Sequence, residues 1–132
     1  MGQLSRLLRD AEDGMLLFWC PGCDGAHGVK YGLGAGPRWT WNGNAEKPSF
    51  QPSILVRSYE MSAKGHADLE ARYALPETER KPLPEGYRYD GKDTVCHSFV
   101  TDGRIQFLGD CTHTLAGQLV DLEPWDASLR AT

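Results

Sequence analysis

The sequence predicts a mainly β fold, a β-rich α+β domain of small antiparallel sheet, on three observations. Glycine at 15 and proline at 8 of 132 residues mark many turns and short elements rather than a helical bundle. Two apolar runs, Val95–Val100 and Arg104–Leu108, flank Asp102-Gly103. That dipeptide suits the two-residue hairpin turn, because both central positions need positive φ. Elsewhere apolar residues alternate or run in short stretches, as in Met15–Cys20, Arg38–Trp41 and Ile54–Tyr59, lengths that fit strands.

Taken in order, residues 3–12 place Leu4, Leu7, Leu8 and Ala11 at helical spacing, so a short amphipathic N-terminal helix is expected within residues 1–14. A single domain is expected over 15–125, with a real but modest core. It opens on Met15–Cys20 as a buried strand that runs into Cys20-Pro21-Gly22-Cys23 and a loop carrying His27. Val29–Tyr31 suits a short strand. The glycines of the following loop, residues 32–37, do not match a phosphate cradle, and no Lys-Ser/Thr closes it. Trp39 and Trp41 fall on one strand face, either covering the sheet or offering a contact surface. Pro48 and Pro52 bar a central strand between them, and Ile54–Tyr59 resumes one. Residues 60–93 form a polar insertion, with a turn or two of helix in Ala67–Leu75 that Pro76 stops; Tyr73, Tyr87 and Tyr89 are contact candidates there. After the hairpin, Leu119–Leu122 is a last short strand or turn, and 126–132 a tail.

The chemistry gathers at the hairpin's open end. With Asp102 and Gly103 at the tip, Val100 faces Ile105 and Ser98 faces Phe107. Alternation then sets Cys96, Cys111 and His113 on one face and His97 on the other. The partner is the upstream Cys-x-x-Cys, a tight knuckle that brings two sulfurs to one ion. Four cysteines and a tetrahedral metal with sulfur at ~2.3 Å point to zinc. The expected ligands are Cys20, Cys23, Cys96 and Cys111. His113 is the alternative fourth, followed by His27 and His97. Two disulfides, or a redox Cys-x-x-Cys, are the competing readings. No signal peptide opens the chain, and no strand-helix setting that lowers a thiol pKa adjoins the motif.

A net charge of -4 with no basic run disfavours nucleic acid. No apolar run approaches the ~20 residues of a membrane span, so a soluble cytoplasmic protein is expected, in the host cytosol if the chain is phage-encoded.

The stretches Phe18-Trp19-Cys20-Pro21-Gly22-Cys23, Trp39-x-Trp41-Asn42-Gly43, Lys47-Pro48-Ser49-Phe50-x-Pro52-Ser53-Ile54 and Cys96-His97-Ser98-Phe99 through Asp110-Cys111-x-His113 resemble a known family. It comprises small phage and prophage zinc-binding proteins of a domain family of unknown function, often labelled "ammonia monooxygenase". Its relatives are also associated with bacterial ubiquitin-like gene clusters, which implies protein modification or phage–host conflict. The monooxygenase label fails on physical grounds: ammonia-oxidising complexes are membrane-embedded copper enzymes, and thiolate-rich ligation favours zinc.

Two functions follow from these residues. One is a zinc-stabilised accessory protein whose closed thiolate site serves folding and whose tryptophans bind a protein partner. The other is a zinc-dependent hydrolase, peptidase- or amidase-like, because the candidate ligands outnumber four. An open coordination position would then hold water, with Asp110 or a spare histidine as general base. Neither His-Glu-x-x-His nor the zinc-deaminase pattern is present.

Overall fold

Asp102 and Gly103 take φ of 50° and 78°, the positive values that a two-residue hairpin turn requires. The strands they join, β7 (Gly91–Thr101) and β8 (Arg104–Phe107), pair Val100 with Ile105 and Ser98 with Phe107, the register expected from the sequence. The tip is fastened from the Lys47–Phe50 stretch. The Ser49 hydroxyl accepts from the Asp102 amide at 2.8 Å, and the Pro48 carbonyl accepts from the Gly103 amide at 2.9 Å. Gly103 lies so close to Lys47 that a Cβ would press on its Cα.

The computed structural model describes residues 2–126 and is mainly β, with two sheets of antiparallel strands. In the first, β1 (Gly2–Gln3), β2 (Leu8–Ala11), β3 (Met15–Cys20) and β4 (Gly25–Lys30) lie in sequence order. The second holds β5 (Thr40–Trp41), β6 (Phe50–Met61), β7, β8 and β9 (Leu119–Asp121), also in order. Strand β6 runs through Pro52, whose bond to Gln51 is cis. Strand β5 reaches only Phe50 and Gln51, so from Pro52 onward β6 has no β5 residue opposite it. Proline is tolerated on such a bare edge.

By contact the chain divides into two units: residues up to Val56 with Val95 onward, and Arg57–Thr94. The core of the first is one cluster drawn from both sheets, including Leu8, Leu16, Phe18 and Val29 of one and Phe50, Ile54, Val100, Ile105 and Phe107 of the other. The second unit carries the one α-helix among the described residues, α1 (Ala63–Tyr73). It starts earlier than the sequence pattern suggests because the Ser62 hydroxyl accepts from the Gly65 amide at 3.0 Å, an N-cap. No helix among the described residues is long and apolar enough to cross a membrane.

The N-terminal helix expected within residues 1–14 is not formed; β1 and β2 stand in its place. The Leu7-Leu8 pair is buried, but β2 pairs along its whole length with β3, from Leu8 opposite Phe18 to Ala11 opposite Met15. Ser5 diverts the chain. Its hydroxyl accepts from the Leu7 and Leu8 amides, each at 3.0 Å, and donates to the Ala45 carbonyl at 2.7 Å. Such a local bond offers the backbone an alternative to helix, and ladder pairing outweighs the weak propensity of a short isolated helix. Of the expected tail at 126–132, residues 127–132 lie outside the described residues.

Ser5→Ala would strand two buried amides and a carbonyl at once. The expected loss is about 1–3 kcal/mol of unfolding free energy, measured by urea titration; a change within experimental error would show that the serine does not hold this turn.

Candidate functional site

Strand β7 alternates strictly near its hairpin end. Cys96, Ser98 and Val100 are buried, and the intervening His97 and Phe99 are less so. Successive side chains leave a strand on opposite faces, so the adjacent pair Cys96-His97 contributes to two different constellations.

On the inner face, one ligand atom each from Cys20, Cys23, His27 and Cys96 lies within 4.8 Å of all the others. Cys20 ends β3, Cys23 closes the knuckle turn, and His27 sits on β4 directly opposite Phe18. A second group, Cys96, Cys111 and His113, meets the same limit and shares Cys96. The first group therefore takes His27 where the sequence favoured Cys111. All four cysteines are free thiols, so neither disulfides nor an oxidised Cys-x-x-Cys is formed.

Hydrogen bonding separates the two groups. The Cys111 thiol accepts from the His97 amide and donates to the His97 carbonyl, each at 3.2 Å. His113 Nδ1 accepts from the Leu115 amide at 3.2 Å, which leaves the proton of the neutral ring on Nε2, 3.5 Å from the Cys96 sulfur. Cys111 is thereby tied to the His97 backbone and His113 to Leu115, whereas the Cys96 thiol bonds to Cys20 and His113. His27, by contrast, is buried and its Nε2 has no hydrogen-bond partner, an orphan that a metal ion would satisfy. The Cys20 and Cys96 sulfurs are 3.8 Å apart, and a tetrahedron with ~2.3 Å bonds has edges of about 3.8 Å. The His113 ring packs on the knuckle so closely that a Cβ on Gly22 would clash with its face.

The thiols ionise unequally. The hydrogen bond from Cys96, aided by His27, holds Cys20 down at about 4 against the cost of burial. As a residue Cys23 is exposed, yet burial of its thiol and then the Cys20 charge push it up to about 11. Cys96, donor to Cys20 and buried, is also raised. By itself the cluster supports one thiolate; a divalent cation lets all three ionise together.

On the outer face His97 joins a second constellation. Its Nδ1 lies 3.1 Å from Asp110 Oδ2, and its Nε2 lies 3.2 Å from Ser53 Oγ. A carboxylate only accepts, so Nδ1–H donates to Asp110 and Nε2 is left to accept from the serine hydroxyl. The three residues form one continuous hydrogen-bonded line. Ser53 comes from β6 and His97 from β7, while Asp110 sits in the turn after β8 that Cys111 N closes onto Leu108 O at 3.3 Å. Trp39 donates its indole N–H to the Ser53 carbonyl at 3.2 Å. Both Trp39 and Trp41 pack partly buried against the core, so Trp39 bears on the position of Ser53. Sequence reasoning named His97 as an alternative ligand and Asp110, or a spare histidine, as general base beside a metal-bound water, and missed Ser53. No Gly-x-Ser-x-Gly surrounds that serine, and only the strand pairing brings it to His97.

Protein purified without chelators should carry one metal ion per chain by elemental analysis. Cys96→Ser, which removes the sulfur common to both groups, should lose it and the fold's thermal stability. His113→Ala should keep the metal while weakening its binding by ~10–100-fold, as expected for a group that only orients a ligand. Full metal retention in Cys96→Ser would exclude this centre.

No curated protein and no solved structure matches the chain. One family model does, over residues 2–108, a span that takes in Ser53 and His97 and stops short of Asp110. The match carries neither a monooxygenase activity nor a phage origin. With most of its length covered, the chain belongs to the family described as bacterial ubiquitination-like system serine protease (BubE).

Proposed function

We propose that this protein is a serine peptidase of a bacterial ubiquitination-like system, with Ser53 as nucleophile, His97 as general base and then acid, and Asp110 as the group that orients the imidazole. The observation that carries this reading is the unbroken Ser53–His97–Asp110 line of hydrogen bonds. Attack by Ser53 Oγ on a carbonyl carbon would pass its proton to His97 Nε2. The same proton would then go to the departing amine, leaving an acyl-enzyme for water to open. Leu55, two residues from Ser53 on β6, and Phe99, two residues from His97 on β7, share the triad's face by alternation and are 45% and 44% exposed. They offer apolar ground for an extended polypeptide on either side of the scissile bond. The family's description suggests that this polypeptide is a ubiquitin-like modifier or its conjugate.

The metal centre has a different part in this reading. Three thiolates and one imidazole suit zinc in a closed site, which supplies folding energy and no bound water for chemistry. Hydrolysis is thus assigned to the serine, in contrast to a hydrolase built on zinc-bound water. A protein-binding module without catalysis would not call for a serine, an imidazole and a carboxylate in one hydrogen-bonded line.

A fluorophosphonate probe should label Ser53, read by peptide mass spectrometry, and Ser53→Ala should abolish the labelling. Asp110→Asn should lower the hydrolytic rate by as much as ~10⁴-fold, the scale on which a triad suffers when its imidazole loses its orienting carboxylate. Absence of Ser53 labelling in metal-loaded, folded protein would sink the assignment.

A further inference from the structure

Cys111 stands next to Asp110 in the chain, but its side chain is turned to the backbone of His97. It accepts from the His97 amide and donates to the His97 carbonyl, each at 3.2 Å. Strand β8 stops at Phe107, and beyond it the pairing with β7 is carried by substitutes. The Leu108 amide donates to the His97 carbonyl at 2.9 Å. The Cys111 amide then closes a turn onto Leu108 at 3.3 Å, and the Thr112 amide donates to Val95 at 2.9 Å. Within this sequence the sulfur of Cys111 fills the place of a ladder carbonyl opposite the His97 amide. Asp110 lies inside the turn, and both ends of the turn are tied to the residue whose ring it must meet. The Asp110–His97 distance of 3.1 Å is therefore set by a frame whose two fixed points are Leu108 N and Cys111 Sγ.

We infer that Cys111 is a positioning residue for the triad: its thiol clamps the His97 peptide and so holds the Asp110 carboxylate on His97 Nδ1. This rests on the triad reading above. It also gives the fourth cysteine a purpose apart from metal ligation, consistent with both hydrogen-bonding capacities of its sulfur being used. A serine hydroxyl can make the same two bonds, whereas alanine can make neither.

The test compares Cys111→Ala and Cys111→Ser with the full-length wild type in p-nitrophenyl acetate hydrolysis, alongside zinc content and melting temperature. Cys111→Ala should lower kcat by ~10–100-fold, the cost of a misplacement on the ångström scale. KM should be unchanged and one zinc per chain retained. Cys111→Ser should recover most of kcat, a rescue that a merely space-filling role would not produce. Unchanged kcat in Cys111→Ala would overturn the inference, and so would loss of zinc in both variants, which would make Cys111 a ligand. Ser53→Ala serves as the separating control. If it removes the activity while Cys111→Ala has no effect, the clamp fails and the triad stands; if Ser53→Ala retains full activity, both fail.

Discussion

The constraint on which the rest depends is the two-residue period of strand β7. Because consecutive side chains leave a strand on opposite faces, Cys96 is directed into the core, where the knuckle and His27 meet it, and His97 is directed outward to Ser53 and Asp110. The turn after β8 repeats the division, since Asp110 points to His97 while the neighbouring Cys111 is spent on the His97 backbone. A slip of one residue in the β7–β8 register would exchange these faces. Thiols would be carried into water and an imidazole into the apolar core. The Asp102-Gly103 turn, with both residues at positive φ and tied down by Pro48 and Ser49, leaves little room for such a slip.

Burial and exposure are divided accordingly. Cys96 is buried, and its thiol hydrogen-bonds with Cys20 and with the His113 ring. The His97 side chain is 25% exposed and that of Asp110 is 56% exposed, so the outer constellation is open to solvent. Trp39 belongs to both regions: its ring packs on the core and its N–H holds the Ser53 carbonyl.

Much of this was legible in the sequence because it depends on local rules. The hairpin register follows from Asp102-Gly103, the knuckle from its Cys-x-x-Cys spacing, and the strand β3 from a short apolar run, while of β4 only the stretch around Val29 was expected as strand. What was not legible depends on long-range pairing. Leu4, Leu7, Leu8 and Ala11 keep helical spacing, yet their segment is claimed by β3 and by the Ser5 hydroxyl. His27 looks like a loop histidine until the pairing of β3 with β4 sets it across from Phe18 and buries it. Ser53 has no motif of its own; it is an ordinary strand serine until β6 and β7 lie side by side.

The order of the three triad residues along the chain has a consequence for synthesis. Ser53 precedes the Arg57–Thr94 unit, while His97 and Asp110 follow it. Proteins emerge from the ribosome N-terminus first, at ~5–20 residues per second. A nascent chain therefore displays its serine for several seconds before the imidazole exists to activate it. Premature termination anywhere in the intervening segment yields a fragment that is chemically mute. Under the proposed peptidase reading, chain order alone keeps the serine silent until the imidazole has been made.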